Sequence, residues 1–191
     1  MWRGAFMDAA RHWRNRGGGA QPPAGYDVLK PIDVSLPFTI AADGKPQWVK
    51  HEFGSESVGY RWQGYRLDPK GAPTFRYDWN GVEVEESFDA KGGAMDARSG
   101  LVRRIKASGK LPQNAYLRIA NGSVTQDGDA FIVKNGMVDL GGGRKSENSV
   151  RVRAVGARTD GANVFVPVTG SIEVEYGWVP VGLPGGSVPK L

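Results

Sequence analysis

The feature that most constrains this chain is the alternation of apolar and charged residues that dominates from Trp48 onward. The stretches "TFRYDW", "VEVEE", "VRVRA" and "SIEVEY" place apolar side chains at every second position. In a β-strand, a period of two puts the apolar side chains on one face and the charged ones on the other. The chain is therefore expected to form sheets that bury one face.

Turn signals separate these stretches at short intervals, and the 191 residues include 28 glycines and 12 prolines. Asn80-Gly81, Asn135-Gly136 and Thr169-Gly170 each predict a tight hairpin. Gly64 interrupts a strand over Val58–Leu67, which predicts a β-bulge at Gln63–Gly64. We therefore predict an all-β fold, an antiparallel β-sandwich of about nine or ten strands with short turns.

Composition divides the chain into an N-terminal arm (1–46), the sandwich (47–179) and an extended C-terminal tail rich in Pro and Gly (180–191). The arm has apolar residues at helical spacing, Trp2, Phe6 and Trp13, which predict one short helix ended by Gly17–Gly19. The rest of the arm is expected to be extended, with at most one edge strand. Because so short a helix is marginal unless it packs on a surface, these three residues are predicted to dock on a partner.

Charge argues for solvated strand faces and against nucleic acid as a partner. The net charge is only +5, and the arginines are scattered along the chain. Cross-strand pairing of opposite charges accounts for them without a ligand. The expected pairing set is Arg61, Arg66, Arg76, Arg151 and Arg153 with Glu83, Glu85, Glu173 and Glu175.

Residues suited to metal, cofactor or nucleophilic chemistry are few. Cysteine is absent, which excludes disulfides, thiolate ligands and covalent haem attachment, and the only histidines are His12 and His51. The Asp127-x-Asp129 pair lacks the rest of a calcium-loop spacing and indicates a plain turn. We therefore predict no cofactor, no metal site and no catalytic residue. The sequence also has no apolar run long enough to span a membrane, and "MWRGAFMDAARHW" lacks the apolar segment of a signal peptide.

The aromatic residues of 58–88 leave two interpretations open. Most are predicted to be core, because alternation with charge puts them on one side of their strands. The alternative is a carbohydrate-binding module, with a ligand platform drawn from Tyr60, Trp62, Tyr65, Trp79 and Trp178. A second alternative is a carboxylate-dependent glycoside-processing enzyme, with candidates Glu83, Glu85, Glu86, Glu173 and Glu175.

Two segments carry a resemblance to a known group of proteins. "WRGAFMDAARHWRNRGGG" followed by "YRWQGYRLDPKGAPTFRYDWNGVEVEESF" resembles part of large exported bacterial proteins that carry sorbosone-dehydrogenase-like β-propellers, c-type cytochrome (haem-binding) domains, or both. The likeness spans about residues 2–178, and its most specific element is G-Y-x-L-D followed by P-T-F-x-Y. The chain itself has no C-x-x-C-H motif and no room for a propeller, so those activities are not carried over.

The resemblance implies a setting and a role for this chain. The setting is periplasmic or extracellular. The role is a non-catalytic accessory or assembly module that packs on, or links to, a larger redox protein or multi-subunit complex. A glycan remains the alternative partner.

Overall fold

The computed structural model describes residues 36–49, 59–92, 100–141 and 144–179, which form an all-β sandwich of two antiparallel sheets. No helix occurs among these residues. The smaller sheet has four strands in the order β1 (Phe38–Ile40), β6 (Ala115–Asn121), β11 (Asn163–Pro167) and β10 (Arg158–Thr159). The larger has eight, in the order β2 (Tyr60–Leu67), β3 (Pro73–Trp79), β4 (Val82–Lys91), β5 (Gly100–Ser108), β12 (Ser171–Trp178), β9 (Arg144–Ala154), β8 (Ala130–Gly141) and β7 (Ser123–Asp127). The predicted fold class is confirmed.

One hydrophobic core fills the space between the two sheets. Ile105 of the larger sheet and Leu117 and Ile119 of the smaller are fully buried in it. The alternating pattern explains which residues enter: in β12, Ile172 and Val174 are buried while Glu173 between them is exposed. The period of two therefore assigns most side chains to the core or to solvent.

The start of the larger sheet is a three-stranded meander, β2–β3–β4. Its register shifts between Trp62 and Gly64, which confirms the bulge, and Gly64 has a φ of 100°. The shift keeps apolar residues from both halves of β2 on the same face. The result is three directly opposed aromatic pairs on that face: Tyr60 with Trp79, Trp62 with Tyr77, and Tyr65 with Phe75.

The Asn80-Gly81 hairpin between β3 and β4 is also confirmed. Both residues have positive φ, 51° and 83°, as a two-residue turn of this kind requires. The carboxylate of Asp78 accepts a hydrogen bond from the Gly81 N–H at 3.0 Å. The turn thus fixes the register that brings Trp79 opposite Val82.

Replacing Gly81 with alanine tests this turn. A Cβ there would meet no atom within 4 Å, so the expected loss of about 1–2 kcal/mol in unfolding free energy comes from the left-handed backbone alone. Urea denaturation followed by far-UV circular dichroism measures the loss. Gly170→Ala is the control, because its φ lies outside the left-handed region and its Cβ would be 3.8 Å from the Ala107 carbonyl oxygen. Equal losses in the two variants would contradict the role of the turn.

The predictions of the other two hairpins are wrong. Asn135-Gly136 lies inside β8, which runs on as one strand against β9 with a register shift between Lys134 and Met137. Thr169-Gly170 joins β11 of the smaller sheet to β12 of the larger, so it is a crossover between sheets. A short glycine-containing connection looks the same in sequence whether the chain turns back within a sheet or crosses to the opposite one.

Twelve strands are described where nine or ten were expected. The short strands β7 and β10 are mostly exposed and show no apolar alternation, so the sequence pattern did not predict them. β1, at the edge of the smaller sheet, is the one edge strand that the arm was expected to contribute.

The residues after β1 return over the outer face of the smaller sheet. Trp48 packs there against Phe165, with ring centroids 6.1 Å apart, and the guanidinium of Arg118 lies 5.4 Å from the centre of the Trp48 ring. Ala41 and Tyr116 complete this second small cluster. The smaller sheet is therefore covered on both sides where these residues pack.

Candidate functional site

The two sheets differ in width, so the smaller cannot cover the whole inner face of the larger. The uncovered part consists of the segments of β2, β3 and β4 that lie on the side of Tyr77 away from Trp79. We call it the aromatic corner: Trp62, Tyr65 and Leu67 of β2, Phe75 of β3 and Phe88 of β4. Trp62, Tyr65 and Leu67 are 61%, 62% and 58% exposed, whereas Phe75 and Phe88 are half-buried.

Phe75 is the centre of the aromatic corner. Its ring centroid lies 6.1 Å from that of Trp62, 6.4 Å from that of Tyr65 and 6.2 Å from that of Phe88. The ring planes are inclined to that of Phe75 by 41°, 56° and 69° respectively. The rings therefore form a contoured apolar cluster and not a flat strip.

The exposed apolar area of the aromatic corner is comparable to the largest apolar patch on a typical monomer. Since an aromatic side chain offers about 150–250 Å², Trp62, Tyr65 and Leu67 together expose on the order of 300 Å². The largest apolar patch on a typical monomer is about 300–600 Å² and is often functional. This area, carried on one sheet face, makes the aromatic corner the candidate functional site.

Tyr60 and Trp79 were predicted as platform candidates, but the structure places both against the core. Trp79 is only 3% exposed and stacks on Phe38 of β1, with centroids 4.9 Å apart. The hydroxyl of Tyr60 accepts a hydrogen bond from the Phe38 N–H at 3.0 Å. Burial raises the pKa of Tyr60, so this hydroxyl stays neutral. The aromatic residues of one sheet face therefore divide between core and surface at the edge of the smaller sheet.

A buried polar network lies between the core and the aromatic corner. Nε of Arg103 donates a hydrogen bond to Oε1 of Glu86 at 2.7 Å, and the Tyr77 hydroxyl donates one to Oε2 at 2.9 Å. The Arg103 and Glu86 side chains are only 7% and 12% exposed. Glu86 lies opposite Ile105 in the sheet, and Phe88 lies opposite Arg103. The network therefore lies on the same face as the aromatic corner and borders it on its core side.

The protonation states of this network follow from burial and pairing. Burial alone would lower the pKa of Arg103, but the interactions with Tyr176 and Glu86 outweigh it and raise that pKa. Burial, followed by the charge of Glu86, raises the pKa of Tyr77. Burial also raises the pKa of Tyr176, whose hydroxyl donates a hydrogen bond to the Ile119 carbonyl oxygen at 2.9 Å. Arg103 is therefore cationic, and the neutral hydroxyls of Tyr77 and Tyr176 keep the protons that they donate in these hydrogen bonds.

The side chains of the other predicted platform and docking residues are not described by the structure. Trp178 ends β12 opposite Val150, and its side chain is not among those described. Trp2, Phe6 and Trp13, the predicted docking residues, lie outside the described residues. Of the proposed platform set, the structure brings together Trp62 and Tyr65 as exposed rings. The sequence reasoning did not single out Leu67, Phe75 or Phe88 as surface residues.

The opposite face of the larger sheet carries ion pairs, as the alternation predicted, but Arg151 and Arg153 bind aspartates and not the predicted glutamates. Glu85 lies 3.1 Å from Arg66 and 3.6 Å from Arg76. Further pairs on the sheet are Arg104 with Asp89 and Glu173, Lys91 with Glu175, Arg151 with Asp127, and Arg153 with Asp129. The acidic residues of the Asp127–Asp129 turn thus bind arginines. No group of three or more His, Asp or Glu residues suited to a metal ion occurs in the part of the chain that the structure describes.

A shallow pocket of about 360 Å³ on this charged face is lined by two of the glycosidase candidates, Glu173 and Glu175. Their side chains are 54% and 33% exposed, and both bind cations, Arg104 and Lys91. Glycoside hydrolysis needs one carboxyl group set in a shielded, apolar environment so that it can act as the acid. These two carboxylates do not have that environment.

Comparison with known proteins gives no further assignment: no family model, no curated protein and no solved structure matches the chain. The described residues contain no helix that is long and apolar enough to cross a membrane.

Proposed function

We propose that this protein is a non-catalytic docking module that assembles with a larger exported protein through the aromatic corner. The observation that carries the proposal is the exposure of Trp62 and Tyr65 on a sheet face whose other aromatic residues are buried or half-buried. Tryptophan and tyrosine are enriched among the residues that dominate binding energy at protein interfaces. Leaving them in water has a cost that a partner would remove.

The packing around the aromatic corner supports this role. Phe75 contacts the rings of Trp62 and Tyr65, and the Glu86–Arg103 pair joins β4 to β5 beside them on the same face. Aromatic side chains with few rotatable bonds, held by a sheet, lose little entropy when a partner binds. The aromatic corner is thus preorganised for contact with another protein.

The nature of the partner rests on the sequence resemblance. Tyr65 and Leu67 belong to the G-Y-x-L-D element, and Phe75 belongs to P-T-F-x-Y. All five residues of the aromatic corner therefore lie in the segment that resembles exported redox proteins, and three of them lie in its two most specific elements. We infer that the partner is a dehydrogenase-type or cytochrome-type protein in the periplasm or outside the cell, with Trp2, Phe6 and Trp13 as further docking residues.

Photo-crosslinking at the aromatic corner tests the proposal. A benzophenone amino acid replaces Trp62 in the protein expressed in its source cells, and crosslinked species are identified by mass spectrometry. We expect one exported redox protein to be recovered at high yield, and recovery to be lost when Tyr65→Ala is added. Val155, which is fully exposed elsewhere, is the matched control position. Equal yields of the same proteins from positions 62 and 155 would refute docking through this surface.

A carbohydrate-binding role is the second candidate, because Trp62 and Tyr65 are exposed rings. Against it, the rings are inclined to Phe75 by 41° and 56°, whereas sugar stacking along a chain is served best by a flat platform. Titrating tryptophan fluorescence with a panel of soluble polysaccharides distinguishes the two. We expect no change with any glycan; a saturable change that Trp62→Ala abolishes would favour carbohydrate binding instead.

A further inference from the structure

Strand β2 stands at one edge of the larger sheet. Among the residues that the structure describes, it pairs with β3 alone. Its eight residues are half-buried or exposed throughout. An edge strand presents a row of backbone N–H and C=O groups that can pair with another extended chain. The backbone of β2 is therefore a second binding feature, immediately beside the aromatic corner.

The two faces of β2 differ in chemistry. Trp62, Tyr65 and Leu67 lie on the inner face, as their pairing with β3 shows. Arg61 and Arg66 lie on the outer face, where Arg66 binds Glu85 at 3.1 Å. Because side chains alternate along a strand, any strand added here would meet apolar groups on one side and arginines on the other.

The bulge divides this edge into two parts. The register shift between Trp62 and Gly64 breaks the regular ladder, and Gly64–Leu67 is the uninterrupted run beyond it. A Cβ placed at Gly64 would meet no described atom within 4 Å, so the sheet face at the start of this run is uncovered by the described residues. Gly64–Leu67 carries Tyr65 and Leu67 inward and Arg66 outward.

We propose that the partner docks by strand addition: an extended segment with alternating large apolar and acidic residues pairs with Gly64–Leu67 and extends the larger sheet. The apolar residues of the added strand cover Tyr65, Leu67 and Trp62, and its acidic residues face Arg66 and Arg61. This inference rests on the proposed docking function and specifies the chemistry of the segment that docks. Backbone hydrogen bonds supply the pairing, and the two sets of side chains select the sequence.

Charge argues against a second copy of this chain as the occupant. If two β2 strands paired with each other, the arginines at 61 and 66 of one copy would lie near those of the other. Like charges across neighbouring strands are destabilising, and cationic residues on edge strands are a common protection against self-pairing. An acidic, apolar segment of a different protein is the complementary occupant.

Peptide binding to the full chain tests strand addition. The probe is the peptide SIEVEYG, which has the required alternation, and the controls are SIKVKYG and a SIEVEYG peptide with N-methyl groups on alternate backbone amides. Binding is measured by tryptophan fluorescence and by hydrogen exchange of the backbone amides. We expect SIEVEYG to bind and to slow hydrogen exchange of the backbone amides within Gly64–Leu67. We expect its affinity to exceed that of SIKVKYG by roughly 1.5- to 5-fold for each charge pair. Arg66→Glu is expected to reverse this preference, and N-methylation on the pairing edge is expected to abolish binding.

Three outcomes would overturn the inference. The first is no binding of SIEVEYG at millimolar concentration, and the second is equal binding of the N-methylated peptide. The third is a concentration-dependent dimer in sedimentation that Trp62→Ala removes, since a second copy would then occupy the edge. If any of these outcomes is found and a redox protein is still crosslinked from position 62, strand addition is refuted but the proposed docking function is not. If no redox protein is crosslinked from position 62, the proposed docking function itself is refuted.

Discussion

Replacing Arg103 with leucine is expected to lower the free energy of unfolding by about 3–5 kcal/mol. The substitution leaves the Glu86 carboxylate, whose side chain is only 12% exposed, without the cation that lies 2.7 Å from it. A buried charge that has lost its partner keeps its desolvation cost and loses its compensation. Urea denaturation at neutral pH, followed by circular dichroism and by tryptophan fluorescence, measures the change.

The neighbouring arginine provides the matched control. Arg104 points to the opposite face, where its 47% exposed side chain binds Asp89 and Glu173. Because exposed ion pairs contribute about 0–1 kcal/mol, Arg104→Leu should change stability little. The double variant Arg103→Leu/Glu86→Leu should recover most of the loss, since it removes both buried charges. Similar losses in the two single variants would contradict a buried network at Arg103.

The Arg103 network also marks where sequence reasoning stopped short. In "LVRRIKA" the residues Leu101, Arg103 and Ile105 share one phase of the alternation, and Ile105 is fully buried. An arginine in the core phase implies a buried partner, and Glu86 is the carboxylate in the matching phase of β4. The predicted set of solvated arginines did not include Arg103, and no buried partner was predicted for it, although the pattern contained the pair.

The parts of the fold that depend on local chemistry were predictable. Alternation set the fold class, and the positive φ that Asn80-Gly81 readily adopts set the hairpin. The assignment of strands to sheets was not predictable, because Thr169-Gly170 connects different sheets through a turn that looks local. That choice depends on which apolar faces meet across the core, and no short stretch of sequence reports it.

For the candidate site, the bulge in β2 was predictable from the sequence, whereas the exposure of the individual rings was not, because exposure also depends on how the two sheets pack. The bulge at Gly64 was predicted, and in the structure it puts Trp62 and Tyr65 on the face that carries Phe75 and Tyr77. Which of these rings remain exposed depends on how far the smaller sheet extends over the larger. Phe38 of β1 covers Trp79 and Tyr60, and Trp62 lies beyond it. Exposure is thus a property of the packing of two sheets and not of the strand itself.

Two tryptophans on the same sheet face give the second large expected effect. Trp79→Ala should lower the free energy of unfolding by about 3–5 kcal/mol, because it empties a core site that is 3% exposed and stacked on Phe38. Trp62→Ala should lower it by less than about 1 kcal/mol, because 61% of that residue is already in water. The two variants are compared by urea denaturation, and the folded fraction of each is checked by circular dichroism.

The value of this pair lies in what the two variants do to docking. If Trp62 serves assembly, Trp62→Ala should keep the fold and lose the crosslinks formed from a benzophenone placed at position 65. Trp79→Ala should weaken docking only to the extent that it unfolds the protein, so adding a stabilising osmolyte should restore its binding but not that of Trp62→Ala. A stability loss at Trp62 as large as that at Trp79 would mean that the ring is structural. The exposed rings of the aromatic corner would then need no partner to account for them.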